Sequence, residues 1–444
     1  MSTFAHRGAS LNGRVQVPGD KSISHRSLIF GALAQGVTQV RGLLEAEDVL
    51  HTAAALRALG VSIERDESAD GPVWTIEGAP WQAPDRILYA GNSGTGVRLL
   101  MGAVAGQGVE AVFDGDASLR KRPMGRIIEP LAQMGASSDS DDGRLPVKIA
   151  GGKLTGMRYR LPKPSAQIKS AILLAALGAD GETIIEEPVL SRDHTERMLS
   201  AFGAEISFGP LEGAEATRGR TIHLKGGQTL KACDITVPAD PSSAAFPLVA
   251  ALIVPGSEVT VEGVLMNPQR TGLYQTLIEM GADLTFANER TLAGETLADI
   301  TARHSALKGV SVPAGRAPSM IDEYPILSIA AACATGETRM EGLEELRVKE
   351  SDRLSAVAAG LAGNRVSIVE GPDWLTVTGS GGEPLKGGDM VSTHMDHRIA
   401  MSFLVMGLVS ADPVGVDSTE MIATSFPEFL TLMKTLGADI RAER

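Results

Sequence analysis

The chain has 444 residues, of which 43% are apolar, and it carries a formal net charge of −13 at pH 7. This length exceeds what one hydrophobic core usually organises, so we expect two domains. The acidic charge argues against nucleic acid as a partner, which would need an extended basic face, and no apolar window reaches the roughly 18 residues of a membrane span.

The start of the chain and its cysteines indicate the compartment and exclude some classes of site. The opening MSTFAHRGASLNGRVQVPG contains no apolar signal core and leads directly into strand-like sequence, so we expect a cytoplasmic protein. Cys233 and Cys333 lack CxxC or Cys/His spacing, which indicates neither a disulfide framework nor a metal site. Basic residues instead cluster in a few short motifs, a pattern that favours small anionic ligands.

The predicted elements follow one pattern that recurs about every 70 to 80 residues. Each unit opens with polar, Gly or Pro residues before a compact apolar stretch, which predicts a buried helix. A Gly-rich turn, a β-branched strand and a second helix follow. The second helix ends at LRALGV, LAQMGA, LSAFGA, LIEMGA, LAGNRV or MKTLGA, and another strand comes next. The sequence therefore predicts an α/β protein with six β-α-β-α-β units.

Two matching turns, VPGDKS and VPADPS, divide these units into two groups of three. Because a strand still precedes VPGD, the first residues are expected to belong with the second group. We therefore predict one domain at residues 20–237 and a second formed by residues 1–19 and 238–444. The chain would cross between them near residues 19–21 and 237–240.

The first helix start, DKSISHRS, combines capping residues with cations. Asp20 or Ser22 caps the helix, Ser22 and Arg26 lie four residues apart on one face, and Lys21 projects from the first turn. Because a helix start presents unpaired N–H groups, the motif favours a phosphate or carboxylate ligand. A capped, solvated helix end explains this motif equally well when it is taken alone.

Three further motifs of the first half lie at predicted helix starts. AGNSGTGVR supplies three glycines and Asn92, which lets backbone approach a ligand closely. LRKRP places three cations in a row, the last of them Arg122, although a solvated basic turn is the favoured interpretation of that motif alone. PKPSAQIKS offers Ser165 and Gln167 as neutral hydrogen-bond donors.

The second half adds carboxylates to the same pattern. SMIDEYP carries Asp322 before an apolar helix, and RVKESDRLS carries Glu350 between Lys349 and Arg353, which we predict to share a helical face. MDHRIAMSF places Arg398 at another helix start. A surface salt-bridge cluster is the structural interpretation. The functional interpretation is a carboxylate positioned for proton transfer among cations that bind an anionic substrate.

Taken together, these motifs resemble the EPSP synthase family, the 3-phosphoshikimate 1-carboxyvinyltransferases. GDKSISHR, GNSGTGVR, KRPMGR, SAQIKSA, SRDHTE, DPSSAAF, NPQRTG, IDEYP, ELRVKESDRL and DHRIAMS all match the family pattern in order, over essentially the whole chain. The resemblance implies the enolpyruvyl transferase fold, an inside-out α/β barrel in which each of two domains contains three βαβαββ repeats. It implies transfer of the enolpyruvyl group of phosphoenolpyruvate to the 5-hydroxyl of shikimate 3-phosphate, with no metal or organic cofactor.

The resemblance also implies the residues that contact the two substrates. Shikimate 3-phosphate is expected to contact Lys21, Ser22, Arg26, Ser165, Ala166, Gln167, Arg192, Asp322 and Lys349. Phosphoenolpyruvate is expected to contact Lys21, Gly94, Arg122, Gln167, Arg353 and Arg398. Because these residues come from both halves, we expect a monomer whose domains close on the ligands.

By the same resemblance, Asp322 handles the proton of the 5-hydroxyl, while Glu350 and Lys21 are candidates for protonating C3 of phosphoenolpyruvate. Several family members carry Lys in the segment aligned with ATSFPEF, where this chain has Thr424. Gly94 would border the phosphoenolpyruvate pocket, which implies sensitivity to the family's inhibitor glyphosate.

Two alternatives are weighed against this function. UDP-N-acetylglucosamine enolpyruvyl transferase shares the fold and the reaction type but uses a loop cysteine, whereas Cys333 lies in a predicted apolar helix. A non-catalytic anion-binding protein would gain little from Asp322 and Glu350 among its cations. An assay of phosphate release with both substrates separates all three.

Overall fold

The structure, a computed structural model, describes residues 2–69, 71–211, 219–292 and 294–442. The chain divides into two units. The first unit contains Gly19–Val237 and Leu292–Gly294, and the second contains Met1–Pro18, Pro238–Thr291 and Glu295–Arg444. Across these described ranges, we find no helix that combines the length and the apolar character needed to cross a membrane.

Within the described ranges the chain forms twelve α-helices and twenty-six β-strands, numbered in chain order. Helices α1 to α12 are Lys21–Leu33, Glu47–Ala58, Gly94–Gly106, Gly125–Met134, Ala166–Ala176, His194–Ala201, Pro241–Ile253, Gly272–Glu279, Tyr324–Cys333, Arg353–Gly363, His397–Gly407 and Phe429–Thr435. Strands β1 to β13 are Thr3–His6, Asn12–Val15, Val37–Arg41, Ser62–Ser68, Gly71–Glu77, Leu88–Tyr89, Glu110–Asp114, Ser137–Asp141, Arg144–Ala150, Arg158–Arg160, Glu182–Glu187, Ile206–Pro210 and Arg220–Lys225. Strands β14 to β26 are Ile235–Thr236, Glu258–Leu265, Asp283–Leu292, Glu295–Arg303, Ser311–Val312, Glu337–Glu341, Ser367–Glu370, Trp374–Thr378, Leu385–Gly387, Met390–Val391, Ser410–Asp412, Val414–Val416 and Asp439–Ala442.

The sheets repeat one topology. Six four-stranded sheets have the orders β14-β3-β5-β4, β6-β7-β9-β8, β10-β11-β13-β12, β16-β17-β15-β2, β18-β19-β21-β20 and β23-β25-β1-β26. In the first five sheets the strand after the first helix of a repeat runs parallel to the opening strand and antiparallel to the last strand of the repeat. In the sixth sheet β25 runs parallel to β23 and antiparallel to β1, which the start of the chain supplies. The predicted fold class, three βαβαββ repeats in each half, is therefore confirmed.

The first and fourth repeats exchange their opening strands: the strand that precedes the first helix of one repeat pairs in the sheet of the other. Strand β2 precedes α1 in the chain but pairs with β15 of the second unit. Strand β14 precedes α7 but pairs with β3 of the first unit. The chain thus passes from one unit to the other at both matching VP turns, so each of these turns lies between a strand of one unit and a helix of the other.

The first helix of each repeat is buried along most of its length, with sheets outside it. In the first unit α3 packs against α1 and α5, and in the second unit α7, α9 and α11 pack on one another in pairs. The contact between α3 and α5 requires glycine, because a Cβ on Gly102 would lie 2.3 Å from the Ala171 carbonyl oxygen and one on Gly106 would lie 2.6 Å from that of Leu174. The apolar stretches that open the predicted units are therefore the central helices of the two units.

The turn that ends the second helix of each repeat is left-handed. The glycines of the recurring phrase have positive φ at Gly60, Gly135, Gly203, Gly281 and Gly437. In the phrase LAGNRV the matching residue is Arg365, which also adopts a positive φ, of +65°. The backbone of this turn is thus retained without the residue that adopts it most readily.

We expect Arg365→Gly to stabilise the second unit by about 0.5 to 1 kcal/mol, because relief of the left-handed conformation outweighs the greater freedom of glycine in the unfolded chain. Arg365 is exposed, so few packing contacts are lost. The urea midpoint measures the change. Gly60→Ala is the matched control: its Cβ would meet only Gln82 at an ordinary 3.6 Å, so the φ of +93° alone should destabilise that variant. An unchanged or lower midpoint for Arg365→Gly would contradict the strain.

Candidate active site

In the first unit the starts of α1 and α2 bring a cation and a carboxylate together. Asp20 caps α1, since its Oδ1 accepts from the Ile23 N–H at 2.8 Å, so of the two predicted caps Asp20 is the one used. Lys21 follows in the first turn, and its Nζ forms an ion pair with the nearly buried Asp48 at the start of α2. The half-buried Ser22 lies next to Lys21.

Arg26 lies one turn further along α1 and is buried. Its Nη1 donates to the Ser22 carbonyl at 3.0 Å, its Nε donates to Thr195 Oγ1 at 2.7 Å, and its Nη2 donates to Ser170 Oγ at 2.7 Å. Contacts to α1, α5 and α6 therefore fix the guanidinium in one orientation. A rigid guanidinium is suited to recognition of an oxyanion.

A second cluster surrounds the start of α3. Gly94 is the first residue of α3, and a Cβ there would lie 3.0 Å from Arg122 Nη1 and 3.2 Å from Arg98 Nη1. Arg122 donates to Asn92 Oδ1 through Nη2. The buried Arg98 donates to Gln167 Oε1 at 2.7 Å, and Gln167 Nε2 donates to Thr95 Oγ1 at 3.0 Å. Glycine thus lets two guanidinium groups approach the backbone of this helix start.

The remaining predicted residues of the first unit lie at the starts of α5 and α6. Ser165 caps α5, its Oγ accepting from the Ile168 N–H at 3.4 Å, and Ala166 is the first residue of that helix. Arg192 is half-buried in the loop between β11 and α6. The structure therefore places Ser165, Ala166 and Gln167 in one turn, beside the arginine cluster at α3.

His25 of α1 connects this helix to α2 and to the cap of α3. The imidazole is fully buried between Thr52 Oγ1, 2.8 Å from Nδ1, and Ser93 Oγ, 3.3 Å from Nε2. Burial, and then the charges of Lys21 and Arg26, hold the pKa of His25 well below its usual value. His25 is therefore neutral at pH 7 and adds no charge to the site.

In the second unit the predicted carboxylates and cations meet at the starts of α9, α10 and α11. Asp322 Oδ1 lies 3.1 Å from Lys349 Nζ and 3.2 Å from Arg353 Nη1. Glu350 Oε2 lies 2.5 Å from Arg353 Nη2, and Asp396 Oδ2 lies 2.7 Å from Arg353 Nε. One buried arginine thus contacts three carboxylates.

The expectation that Lys349 and Arg353 share a helical face is wrong. A 3₁₀ helix ends at Val348, and α10 begins only at Arg353, where Asp352 caps it. The two cations nevertheless meet at Asp322, because the break between the helices turns both side chains towards it. Burial alone would lower the pKa of Arg353, but Asp396, Glu350 and Asp322 outweigh burial and raise it, so Arg353 remains a cation.

Arg398 is the second residue of α11. Its backbone N–H donates to Asp396 Oδ1 at 3.0 Å, and its Nη1 donates to the Asp322 carbonyl at 3.1 Å. The carboxylate of the buried Glu323 lies 3.5 Å from the same Nη1. Thr424 lies in a 3₁₀ helix and its hydroxyl donates to the Met421 carbonyl at 2.7 Å, so no cationic side chain stands at that position.

The two units therefore offer different chemistry. The described helix starts of the first unit are mainly cationic and can bind oxyanions. The starts of α9 and α10 in the second unit hold a carboxylate between two cations, an arrangement suited to proton transfer on an anionic substrate.

Two charged residues of the site, Arg98 and Asp48, were not predicted from the sequence. A charge within the apolar run VRLLMG was a signal for Arg98, whereas nothing in the sequence pointed to the pairing of Asp48 with Lys21.

The thiols lack the properties of a reactive cysteine. Burial raises the pKa of the Cys333 thiol to about 12. Burial, with the neighbouring Asp234, also raises the pKa of Cys233. A cysteine that acts as a nucleophile or acid at neutral pH needs a lowered pKa, so neither thiol fits a catalytic role.

Comparison with known proteins gives a consistent result. A family model described as EPSP synthase (3-phosphoshikimate 1-carboxyvinyltransferase) matches residues 5–433. A protein named 3-phosphoshikimate 1-carboxyvinyltransferase from Methylorubrum extorquens is 59% identical over 437 residues, covering 98% of this chain and 96% of the relative.

Solved structures agree with this match. A structure of EPSP synthase from Acinetobacter baumannii superposes with a TM-score of 0.86 at 46% identity and covers 99% of this chain and 100% of that one. The enolpyruvyl transferase NikO from Streptomyces tendae has a TM-score of 0.77 at 18% identity, over 99% and 98% of the two chains. The second similarity concerns the fold alone.

Proposed function

This chain belongs to the EPSP synthase family, and from that premise we propose how its residues transfer the enolpyruvyl group of phosphoenolpyruvate to the 5-hydroxyl of shikimate 3-phosphate, releasing phosphate. In the addition step the 5-oxygen bonds to C2 of phosphoenolpyruvate, the hydroxyl proton is removed and C3 gains a proton. In the elimination step C3 loses a proton, the bond from C2 to the phosphate oxygen breaks, and the double bond returns.

Asp322 is the acid/base for the 5-hydroxyl. The single observation that carries this role is the position of its Oδ1, 3.1 Å from Lys349 Nζ and 3.2 Å from Arg353 Nη1. Two cations favour the ionised carboxylate, which can accept the hydroxyl proton, and they attract the anionic substrates to it. Shikimate 3-phosphate would meet Asp322 and Lys349 in the second unit.

Glu350 and Lys21 are the candidates for protonating C3. Glu350 contacts Arg353, and Lys21 contacts Asp48, so each group already has a partner of opposite charge. Arg353 and Arg398 would bind phosphoenolpyruvate in the second unit. In the first unit its partners would be Lys21, Gly94, Arg122 and Gln167. The close approach of Arg122 to Gly94 supports this assignment.

The first unit would bind shikimate 3-phosphate through helix starts and rigid arginines. The residues assigned to it there are Lys21, Ser22, Arg26, Ser165, Ala166, Gln167 and Arg192. The three hydrogen bonds that fix Arg26 support this assignment, because an immobilised guanidinium loses little further entropy on binding an oxyanion. A monomeric state, a cytoplasmic location and the domain limits stay predictions from the sequence.

The function is tested by incubating the purified protein with shikimate 3-phosphate and phosphoenolpyruvate. We expect equimolar release of phosphate and formation of the enolpyruvyl ether, each dependent on both substrates. Replacing shikimate 3-phosphate by UDP-N-acetylglucosamine is the control and should release no phosphate. Binding of both substrates without phosphate release would instead indicate an anion-binding protein.

A further inference from the structure

Four charged side chains that the reaction does not use lie together inside the first unit. They are Lys169 on α5, Glu187 at the end of β11, Glu196 on α6 and Arg220 at the start of β13, and they are called the buried charge cluster below. Lys169, Glu187 and Glu196 are at most 1% exposed, and the Arg220 side chain is 21% exposed. The motifs SAQIKSA and SRDHTE supply two of the four.

The buried charge cluster is neutral and alternates in sign. Lys169 Nζ lies 2.7 Å from Glu187 Oε1 and 2.8 Å from Glu196 Oε1. Arg220 Nε lies 2.9 Å from Glu187 Oε2, and its Nη2 lies 2.7 Å from Glu196 Oε1. Each carboxylate therefore contacts both cations. Burial alone would raise the pKa of Glu187, but Lys169 and Arg220 outweigh burial and lower it, so the carboxylate is ionised at neutral pH.

Stability alone does not account for such a cluster. Taking four charges out of water costs about as much as their mutual attraction returns, and well-packed apolar residues of similar volume often stabilise a fold as well or better. Compared with apolar packing, the ionic arrangement orients its surroundings, because each hydrogen bond fixes the direction of a side chain or of a loop. The loops and helix ends that the cluster holds are therefore the place to look for its role.

The cluster holds the loop that carries Arg192. Glu187 Oε1 accepts from the Ser191 backbone N–H at 2.9 Å and from its hydroxyl at 2.6 Å. The Ser191 carbonyl accepts from Lys169 Nζ at 3.4 Å. All three polar groups of the residue that precedes Arg192 are thus bound to the cluster, which limits the directions that the Arg192 side chain can take.

The same cluster also joins α6 to α5 next to Arg26. Lys169 binds Glu196 between the two helices, and the adjacent residues Ser170 and Thr195 have their hydroxyl oxygens 2.7 Å apart. These two hydroxyls are the acceptors of Arg26 Nη2 and Nε. A shift of α6 relative to α5 would therefore move the acceptors of Arg26 as well as the loop of Arg192.

We propose that the buried charge cluster is a positioning element for shikimate 3-phosphate, which holds Arg26 and Arg192 in the orientation that binds this substrate. Its four members are positioning residues, since none of them is assigned a contact with substrate. This inference rests on the proposed contacts of Arg26 and Arg192 with shikimate 3-phosphate. It does not extend to phosphoenolpyruvate, because its assigned contacts Gly94 and Arg122 lie at α3 and the turn before α4. Gln167 on α5 is assigned to both substrates, but its side chain is held by Arg98 and Thr95 of α3 rather than by the cluster.

The test replaces Glu187 by Gln in the full-length enzyme and measures both substrates separately. Glu187→Gln is isosteric but leaves the cluster with an extra positive charge and turns an amide donor towards a cation or towards Ser191. We expect the Kd and KM for shikimate 3-phosphate to rise roughly 10-fold or more, the scale of a small misplacement of binding groups. The KM for phosphoenolpyruvate and kcat should change less than about 3-fold. A purely structural defect would give the opposite result, because a smaller fraction of active enzyme lowers the apparent kcat and leaves the KM for shikimate 3-phosphate unchanged.

Glu186→Gln is the matched control. Glu186 precedes Glu187 on β11, so its side chain points to the opposite face, where it pairs with the exposed Arg158 and Arg160. We expect this variant to bind both substrates like the parent enzyme. An equal rise in the shikimate 3-phosphate Kd for the two variants would overturn the proposal.

Two further variants keep the outcome decisive. Ser191→Ala removes one hydroxyl and leaves all four charges, so it should fold even if Glu187→Gln does not, and it should weaken shikimate 3-phosphate selectively. Unchanged binding in Ser191→Ala and in any folded Glu187→Gln would overturn the positioning role.

Arg192→Ala tests the assigned substrate contact separately from the positioning role. If this variant binds shikimate 3-phosphate normally, the assigned contact is wrong; if it binds weakly while Glu187→Gln binds normally, the inference alone fails.

Discussion

Replacing Asp322 by Ala is expected to lower kcat by roughly 10²-fold or more, the scale on which general acid/base catalysis contributes. The carboxylate is the proposed acceptor of the 5-hydroxyl proton, and no other described carboxylate lies between Lys349 and Arg353 in the same way. The KM for shikimate 3-phosphate should rise less than kcat falls: one assigned contact is lost, but removing a negative charge beside these cations does not weaken their attraction for anionic substrates. Steady-state kinetics with both substrates measures the change.

The fold should survive this substitution. Arg353 keeps Glu350 and Asp396 as partners, so no buried charge is left alone. Asp322→Asn is the matched variant: it keeps the size and one acceptor oxygen but cannot take up the proton, and it should lose kcat to a similar degree. A near-normal kcat in either variant would rule out the proposed role.

Arg122→Ala provides the contrasting case for the same assay. Arg122 lies beside Gly94 and Asn92 and is assigned to phosphoenolpyruvate binding, so its loss should mainly raise the KM for phosphoenolpyruvate. A variant that lowered kcat with an unchanged KM would instead show that Arg122 acts in the transition state alone.

Gly94→Ala is expected to weaken glyphosate roughly 10-fold more than it weakens phosphoenolpyruvate, since one methyl group in a pocket commonly discriminates on this scale. Glyphosate is longer than phosphoenolpyruvate and therefore needs more of the space beside Gly94. The new Cβ would lie 3.0 Å from Arg122 Nη1 and 3.2 Å from Arg98 Nη1, so it displaces both guanidinium groups by some tenths of an ångström. Crowding thus comes from the arginines as well as from the methyl group itself.

The measurement compares the glyphosate Ki with the phosphoenolpyruvate KM in each form of the enzyme. Gly125→Ala is the control, because Gly125 also begins a helix of the first unit but its Cβ would meet only Glu129 Oε1 at 3.7 Å. This control should leave both constants unchanged. Equal losses for glyphosate and phosphoenolpyruvate in Gly94→Ala would contradict the proposed discrimination.

The sequence was sufficient for the number of repeats and, through the family resemblance, for the fold class and the reaction. The residue pattern alone predicted β-α-β-α-β units and missed one of the two strands that follow the second helix, such as β4 and β5 after α2. Helix ends are encoded within a few residues, as at Asp20 and Ser165, where a polar side chain caps the helix that follows it. The recurring left-handed turn is equally local, and even Arg365 follows it. The resemblance to the EPSP synthase family, carried by ten motifs in order, predicted the activity that the comparisons support. The individual substrate contacts stay predictions.

The tertiary structure alone decided which distant groups meet. No local pattern shows that β2 pairs with β15, that Arg98 reaches Gln167, or that Glu187 binds Lys169. These partners are brought together by the packing of whole helices and strands, and hydrogen bonds between them depend on three-dimensional distance rather than on spacing along the chain. The same reason explains the error at Lys349 and Arg353: periodicity predicted one continuous helix, whereas the chain breaks there and both side chains converge on Asp322.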